Sequence, residues 1–306
     1  MTAQFEQTHA AKGGFWHKLN SWWDGGDRSS GESPEDGPAD DRPQADDALW
    51  SPERQYVLRE LFGPGLMGPW STEIQEGLIR ELQISENSRV VALGGGFGGP
   101  AHRLQQATGA NVLSLDDRVE VSDIAQEWLA GEGSAVRQDR RDFYDTGLKP
   151  DYADVIISFA GLSHVRHRKS LYQHMLQILR PSGTLVVLDF FITGRDPTCP
   201  EVAIWSALED RPRHLMNAEM LTKLVYEVGF DTPDFLDMTG VYRSVIRSAF
   251  GRSVEILKKA GPDAVRYQQA LVDELERWNR RLALLDSGEV RFCAVRIEYF
   301  GKSAVV

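Results

Sequence analysis

Between residues 89 and 191, short apolar runs alternate with longer stretches whose apolar residues recur at helical spacing. Short, mostly apolar runs with the length and composition of buried strands occur at 89–93, 111–115, 154–159 and 183–191. Stretches with apolar residues at helical spacing separate them, at 99–108, 121–131 and 168–179. A shorter strand is expected near 135–138. This alternation predicts βαβ units with right-handed crossovers, and therefore a parallel sheet covered by helices on both faces.

Helical patterns also precede and follow this region. Ser51 and Ser71 each stand directly before an amphipathic stretch, as helix N-caps do, and they predict two helices ahead of the sheet. After the sheet a helical stretch spans about 201–228, and a long amphipathic helix spans 266–288. Strict alternation over 289–302 then predicts one more strand.

The first 48 residues differ in composition from the rest. Residues 24–48 are rich in Gly, Pro, Ser and acids and predict a disordered acidic linker, because they cannot bury enough apolar surface to offset the ordering entropy. Residues 1–23 contain a Trp-rich amphipathic segment, whose apolar face would be formed by Phe15, Leu19, Trp22 and Trp23. This face predicts an anchor to a membrane surface or another protein, or docking onto the chain's own domain. Residues 49–306 form the predicted globular domain.

The net charge of −11 is unevenly distributed, because the segment Asp24–Asp47 alone contributes −7. The folded part lacks the concentrated basic footprint of nucleic-acid-binding proteins, so no nucleic-acid partner is expected. The two cysteines form no disulfide framework, and no apolar run reaches the roughly 18–20 residues that span a bilayer. These features predict a cytoplasmic protein, peripheral to the inner face of a membrane if the Trp-rich segment is an anchor. The histidines show no zinc-type spacing with cysteines or acids, so no metal site is expected.

A glycine-rich turn connects the first predicted strand to its helix. Five of the six residues from Gly94 to Gly99 are glycine, and they fit the pattern G-x-G-x-x-G. Glycine permits positive φ and close approach of a ligand, and the following helix N-terminus presents free N–H groups. Asp116 ends the second strand about 20 residues later, where a carboxylate can bind ribose hydroxyls. The turn therefore predicts a site for an adenosine-containing cofactor, either NAD(H) or S-adenosylmethionine.

Several motifs, in order along the chain, resemble class I S-adenosylmethionine-dependent methyltransferases. They are the loop LGGGFGGPA, the strand and loop DVIISFAGLSHV, the turn LRPSG before a strand, and the closing strand that ends in EYFGK. The resemblance runs from about Tyr56 to Lys302. It implies an α/β, Rossmann-like class I methyltransferase fold, with a seven-stranded, mostly parallel sheet, an antiparallel last strand and helices on both faces.

The resemblance also implies a function and a division of the domain. The cofactor would be S-adenosyl-L-methionine, and the methyl acceptor would be a small-molecule or lipid-like compound. Residues 49–84 would form a helical lid, and residues 195–285 would form a helical insertion on the acceptor side.

The same resemblance implies the residues that bind the cofactor. They would be Gly94, Gly96, Gly98, Asp116, Asp142, Phe143 and Ser158. The glycines would line the methionine side of the cofactor, and Asp116 would bind the ribose. Asp142 and Phe143 would meet the adenine, although Asp139 is an alternative to Asp142. Ser158, at the end of the fourth strand, would border the cofactor.

The predicted acceptor side contains candidate catalytic residues. His164, in the loop after the fourth strand, is a candidate base or substrate-orienting residue, or else a loop histidine bonded to the backbone. Tyr242 could point into the acceptor pocket, and Arg243 and Arg247 could bind an acidic head group or form a solvated helical face. Aromatic residues before the sheet could cover the acceptor or belong to the core: Tyr56, Phe62 and Trp70.

The chain departs from the family pattern at Ala92, where most members have Asp or Glu two residues before the first loop glycine. Loss of such a charge-assisted hydrogen bond costs about 1.5–3 kcal/mol, or one to two decades of affinity. Either another acid substitutes, or the cofactor binds weakly or not at all. Ala92 keeps one alternative open, a non-catalytic methyltransferase-like scaffold tethered through its Trp-rich N-terminus. The glycine loop keeps a second one open, an NAD-dependent oxidoreductase, whose sheet would lack the antiparallel last strand.

Overall fold

The computed structural model describes residues 49–194 and 199–301. Seven strands form one sheet in the order β3-β2-β1-β4-β5-β7-β6. Their bounds are β1 Arg89–Leu93, β2 Asn111–Asp116, β3 Arg137–Arg140, β4 Ala153–Phe159, β5 Leu179–Ile192, β6 Asp234–Asp237 and β7 Val290–Tyr299. The sequence predicted all of these strands except β6.

The pairing of the strands confirms the predicted fold class. The pairs β1–β2, β1–β4, β2–β3 and β4–β5 are parallel, and β7 pairs antiparallel with both β5 and β6. The order reverses between β1 and β4, and open α/β sheets bind ligands outside the carboxyl ends of the strands at such a switch point. The long antiparallel β7 is the strand that the oxidoreductase alternative would lack, so that alternative is not supported.

Ten α-helices surround the sheet in the described ranges. Their bounds are α1 Pro52–Phe62, α2 Thr72–Leu82, α3 Gly99–Thr108, α4 Val119–Gly131, α5 Arg168–Ile178, α6 Pro200–Ala207, α7 Ala218–Val228, α8 Thr239–Gly251, α9 Ser253–Ala260 and α10 Ala264–Ser287. The side chains of Ser51 and Ser71 accept hydrogen bonds from the N–H groups of Arg54 and Ile74, as predicted for N-caps.

Alternate residues of each strand face two separate apolar layers. In β1, Val90 and Ala92 belong to one layer, and Val91 and Leu93 belong to the other. Helices α1, α2, α3, α4, α6, α8, α9 and α10 contribute to the first layer, and α5 and α7 contribute to the second. Because both faces are covered, the inner strands are continuous apolar runs, which explains why the sequence revealed them.

The region 195–285, predicted as a helical insertion, also contains the edge strand β6 (Asp234–Asp237). Its sequence, DFLD, is too short and too acidic for an apolar run, and it is held by pairing with β7. The helices of this region pack against α1: Arg54 donates to Glu274 of α10 at 2.6 Å, and Tyr56 stacks on Tyr267 at 4.0 Å between ring centroids. The predicted lid is therefore fixed to α10 in this structure.

Some predictions lie outside the described residues. These are the Trp-rich segment Phe15–Trp23 and the acidic linker 24–48, which stay predictions from sequence. Across 49–194 and 199–301, every helix is too short or too polar to cross a membrane. In the same ranges, no group of His, Cys, Asp or Glu side chains is placed to hold a metal ion.

Candidate active site

The glycine loop turns sharply at the carboxyl end of β1. Gly94 has a φ of 65°, and its N–H donates to the carbonyl of Leu115 at 2.9 Å. A Cβ atom added at Gly94 would lie 2.9 Å from Cα of Gly161, and one added at Gly96 would lie 2.7 Å from the sulfur of Met67. At Gly94 the obstacle is the backbone after β4, so glycine is required there. At Gly96 the obstacle is the flexible side chain of Met67, and the φ of 59° is what favours glycine.

One pocket opens beside this loop, outside the carboxyl ends of β1, β2 and β4. It brings together most of the residues predicted from sequence. Those that line it are Gly94, Gly96, Asp116, Phe143, His164 and Tyr242. The cofactor-side residues and the acceptor-side residues therefore share one continuous cavity wall.

Asp116 occupies the predicted position at the end of β2, and its side chain is 1% exposed. Its two carboxylate oxygens accept hydrogen bonds from Nε and Nη2 of Arg118, at 2.8 and 2.9 Å. Burial alone would lower the pKa of Arg118, but the neighbouring Asp116 raises it overall. One oxygen, Oδ1, also accepts the backbone N–H of Arg118, so Oδ2 has the greater remaining capacity for a ligand hydroxyl.

His164 lies in a 3₁₀ turn after β4, at residues 162–164. Its Nδ1 lies 3.1 Å from the carbonyl oxygen of Pro212. Because a carbonyl only accepts, Nδ1 carries the proton, and Nε2 of the neutral ring keeps its lone pair. Burial, followed by the charges of Arg213, Arg211 and Arg118, lowers the pKa of His164 well below its usual 6.5. The histidine is thus a neutral base candidate at neutral pH.

Tyr242 projects from α8 and is 5% exposed. Its ring stacks on Phe292 with centroids 3.9 Å apart and meets Phe190 edge-on. Burial raises the pKa of Tyr242 above its ordinary value, so the phenol stays protonated. The residue can supply an apolar wall and a hydroxyl donor, but no base.

Four residues predicted to contact the cofactor lie outside the pocket wall. Gly98 donates its N–H to Gly95 and precedes α3, facing Leu129. Asp142 accepts the N–H of Tyr144 at 2.8 Å, which closes a local turn. Its alternative, Asp139, is bound by Arg141 at 2.8 Å. Ser158 is fully buried within β4.

Ala92 is also fully buried, in β1, between Ser114 of β2 and Ile157 of β4. It does not line the pocket. An acid at this position would have to enter the apolar layer on that face of the sheet, where Ala92 packs in this chain.

Of the other residues predicted on the acceptor side, some line the pocket and others lie outside it. Trp70 lines the pocket and meets Phe159 edge-on at 5.0 Å. Phe62 packs against Trp278 of α10 at 4.9 Å. Arg243 and Arg247, the predicted head-group ligands, both pair with Asp286 outside the pocket wall.

The sequence analysis missed a set of charged residues in the pocket. Many of them belong to α10 and to the segment after α6: Glu209, Asp210, Arg211, Arg213, Glu274, Arg277 and Arg281. A signal was present, because Glu274 and Arg281 share one helical face with Leu271, Trp278 and Leu285, all buried. Charged residues on the apolar face of an amphipathic helix indicate buried ion pairs or a site.

Comparison with known proteins identifies the domain. Residues 91–187 match the model of a methyltransferase domain. Phosphoethanolamine N-methyltransferase of Plasmodium falciparum (isolate 3D7) is 22% identical over 149 residues, which cover 48% of this chain and 56% of that protein.

Two solved structures have the same fold. Phosphoethanolamine N-methyltransferase 2 of Haemonchus contortus, in complex with S-adenosyl-L-methionine, superposes with a TM-score of 0.69 at 17% identity, covering 80% of this chain and 56% of that one. The [4+2]-cyclase SpnF superposes with a TM-score of 0.62 at 16% identity, covering 81% of this chain and 92% of that one. A cyclase on the same fold means that the fold alone does not identify the reaction.

The chain spans little more than half the length of the two phosphoethanolamine methyltransferases. The family match nevertheless falls on the strands and the glycine loop that form the pocket, and the sheet order includes the antiparallel β7. Residues 91–187 therefore match a methyltransferase domain, and the chain has the class I methyltransferase fold.

Proposed function

We propose that this protein transfers a methyl group from S-adenosylmethionine to a small-molecule acceptor. The observation that carries the proposal is the shared pocket, in which the glycine loop and Asp116 lie in the same cavity wall as His164 and Tyr242. Methyl transfer requires donor and acceptor to meet in one enclosed space in a fixed orientation, which is worth roughly 7–11 kcal/mol of barrier.

The residues of the pocket fit the cofactor. Gly94 and Gly96 expose backbone to the cavity, Asp116 offers Oδ2 as an acceptor for a ribose hydroxyl, and Phe143 offers an apolar surface for the adenine. When bound, the cofactor supplies an electrophilic methyl group on a sulfonium. These contacts are proposed on the family resemblance, and the position of Asp116 supports them, because it lies in the pocket wall at the end of β2 beside the glycine loop.

His164 is proposed to accept the proton of the acceptor. The neutral ring, with its proton fixed on Nδ1 by Pro212, leaves Nε2 free for that role without prior deprotonation. Tyr242 would donate a hydrogen bond to the acceptor, because its phenol stays protonated. Trp70 and Phe159 would exclude water from the same wall.

The experiment is a turnover assay of the full chain with methyl-labelled S-adenosylmethionine and an extract of small molecules. We expect labelled product and S-adenosylhomocysteine in equal amounts, with both strongly reduced in Asp116→Asn and His164→Gln variants. A chain that binds S-adenosylmethionine and transfers no methyl group contradicts the proposal. A chain that binds neither S-adenosylmethionine nor S-adenosylhomocysteine would support the alternative of a non-catalytic scaffold.

A further inference from the structure

The pocket wall is unusually rich in charge for a site among aromatic residues. Six arginines and five carboxylates line it: Arg54, Arg118, Arg211, Arg213, Arg277, Arg281, Asp116, Asp117, Glu209, Asp210 and Glu274. Their formal charges leave one positive charge in surplus. Buried charges need partners, so the location of the surplus shows what the pocket is built to receive.

Two pairs within this wall are neutral. Arg118 binds both oxygens of Asp116, as described above. Arg211 binds both oxygens of Asp117, with Nη1 and Nη2 at 2.9 and 2.8 Å. Each bidentate pair satisfies its own charge and leaves no excess for a ligand.

Four further residues form a neutral ring beside α1 and α10. Arg54 donates to Glu274 at 2.6 Å and to Asp210 at 2.9 Å, and Arg277 donates to Asp210 at 2.5 Å. Nε of Arg277 lies 3.3 Å from Glu274, which closes the ring. Two cations and two carboxylates again cancel.

The surplus therefore lies in the remaining three residues, here named the Glu209 cluster: Glu209, Arg213 and Arg281. Glu209, 3% exposed, accepts hydrogen bonds from Arg213 at 3.0 Å, from Nε of Arg281 at 2.8 Å and from the indole of Trp205 at 2.6 Å. A second nitrogen of Arg281 also contacts Glu209. One carboxylate thus serves two buried arginines.

Neighbouring groups behind the wall do not remove this surplus. Arg213 also donates to the hydroxyl of Ser163 at 2.8 Å, and Asp189 lies behind Ser163, accepting its backbone N–H. Asp189 acts electrostatically on both Arg168 and Arg213, so one carboxylate is shared by two cations. Together with Glu209 and Arg281, the group keeps one positive charge in surplus. His164 beside the cluster is neutral.

The aromatic faces of the site are already occupied by the chain's own cations. Arg213 lies over the rings of Trp205 and Phe190, at 4.7 and 5.2 Å, and Arg281 lies over Trp278 at 4.0 Å. A cationic acceptor could not bind these ring faces, because arginines already cover them, and the surplus positive charge would repel it. The remaining apolar surface of Tyr242 and Phe292 suits an uncharged body.

We infer that the methyl acceptor carries an anionic group, a carboxylate or a phosphate, that binds at the Glu209 cluster, with an apolar body against Tyr242 and Phe292. The inference rests on the proposed function and adds the class of the acceptor. The anionic group neutralises the surplus positive charge of the cluster. The apolar part of the acceptor extends along the pocket wall that also contains His164.

Calorimetric titration of the full chain tests this, with and without S-adenosylhomocysteine. The probes are benzoate, phenyl phosphate, benzyl alcohol and benzylamine, which share a ring and differ in charge. We expect at least one of the two anions to bind about tenfold or more tightly than benzyl alcohol, and benzylamine to bind most weakly. The benzoate and phenyl phosphate arms distinguish carboxylate from phosphate. Equal affinities across charges, or no binding of either anion at millimolar concentration, overturns the inference.

Two variants change the charge of the cluster in opposite directions. Arg281→Gln removes the surplus and should weaken anion binding about tenfold, whereas Glu209→Gln adds to it and should strengthen binding. Structural damage would weaken binding in both, which would count against the inference. Arg243→Gln, the same change on an arginine outside the pocket, is the matched control and should have no effect. If either variant fails to fold, the inference is tested by the affinities of the unmodified chain for the anionic, neutral and cationic probes.

The outcomes separate the inference from the proposed function. Binding of S-adenosylhomocysteine without preference for anions leaves methyl transfer standing and removes the acceptor class. A preference for anions without any binding of S-adenosylhomocysteine removes methyl transfer and leaves an anion site.

Discussion

Arg118 binds both carboxylate oxygens of Asp116, with Nε–Oδ1 and Nη2–Oδ2 distances of 2.8 and 2.9 Å, at the position where the cofactor ribose is expected. The side chain of Asp116 is 1% exposed and that of Arg118 is 23% exposed. The ribose site is therefore neutralised by the chain itself, and a ligand hydroxyl shares the carboxylate with a guanidinium.

This relationship predicts the effect of removing Arg118. Arg118→Met leaves a buried, unpaired carboxylate, so the free energy of unfolding should fall by about 3 kcal/mol. S-Adenosylhomocysteine should raise the melting temperature of the variant more than that of the unmodified chain, because both oxygens of Asp116 become available to the ribose. Differential scanning calorimetry with and without the ligand measures both effects.

A second variant checks the cause. Combining Asp116→Asn with Arg118→Met should restore much of the stability and abolish the enhanced ligand shift. If Arg118→Met instead reduces the ligand shift, the guanidinium itself contacts the cofactor.

The glycine turn makes a prediction about two neighbouring positions. Gly94→Ala places a methyl group 2.9 Å from the backbone of Gly161, at a φ of 65°, and the left-handed conformation alone costs about 1–2 kcal/mol. Gly96 has a similar φ of 59° and the same conformational cost, but its obstacle is the flexible end of Met67, which can move. Calorimetric titration should show a larger loss of cofactor affinity for Gly94→Ala than for Gly96→Ala. Gly131→Ala, in α4 with open space around it, should bind normally.

The lowered pKa of His164 fixes the pH dependence of catalysis. The unprotonated ring is the base, so the rate of methyl transfer should stay constant as the pH falls from 8 to 6.5 and decline only below that. His164→Gln should reduce the rate by about 10²–10⁴ and remove this decline. An acidic limb centred at or above pH 6.5 that persists in the variant would assign the base elsewhere.

The same shift affects stability. The unfolded chain binds a proton at His164 near pH 6.5 and the folded chain only well below it, so His164 lowers the free energy of unfolding as the pH falls through 6.5. Urea denaturation of the unmodified chain and of His164→Gln at pH 7.5 and 5.5 should show a smaller decrease in the variant.

Ala92 leads to a further prediction. Ala92→Asp inserts a carboxyl into the apolar layer on one face of the sheet, in a fully buried position, and the variant should be destabilised by at least about 3 kcal/mol at pH 7. Burial raises the pKa of the introduced carboxyl above its unfolded value, so stability should be lost as the pH rises. Ala92→Asn, with the same shape and no charge, is the control. A gain in cofactor affinity without loss of stability would show that the position faces the ligand.

The sheet could be predicted from sequence because its inner strands are covered on both faces and must be apolar throughout. Strand β6 could not, since Asp234–Asp237 is a short edge segment with two acids, held by its pairing with β7. The glycine turn and Asp116 were found because their spacing is local.

The charged wall of the pocket could not be predicted in the same way. Arg54 and Glu274 are in contact but 220 residues apart in sequence, and only the fold brings them together. The contact of Asp142 with the adenine stays a prediction, and in this structure its Oδ1 accepts the nearby N–H of Tyr144. Short polar side chains in turns often bind the local backbone in this way, and sequence spacing does not reveal it.

The most direct test of the account is calorimetric titration of the full chain with S-adenosylhomocysteine, compared with the Asp116→Asn variant. The account predicts one binding site per chain, and about tenfold or greater weakening in the variant, because an amide replaces a charged acceptor at the ribose. No binding by the unmodified chain, or equal binding by the folded variant, would contradict it.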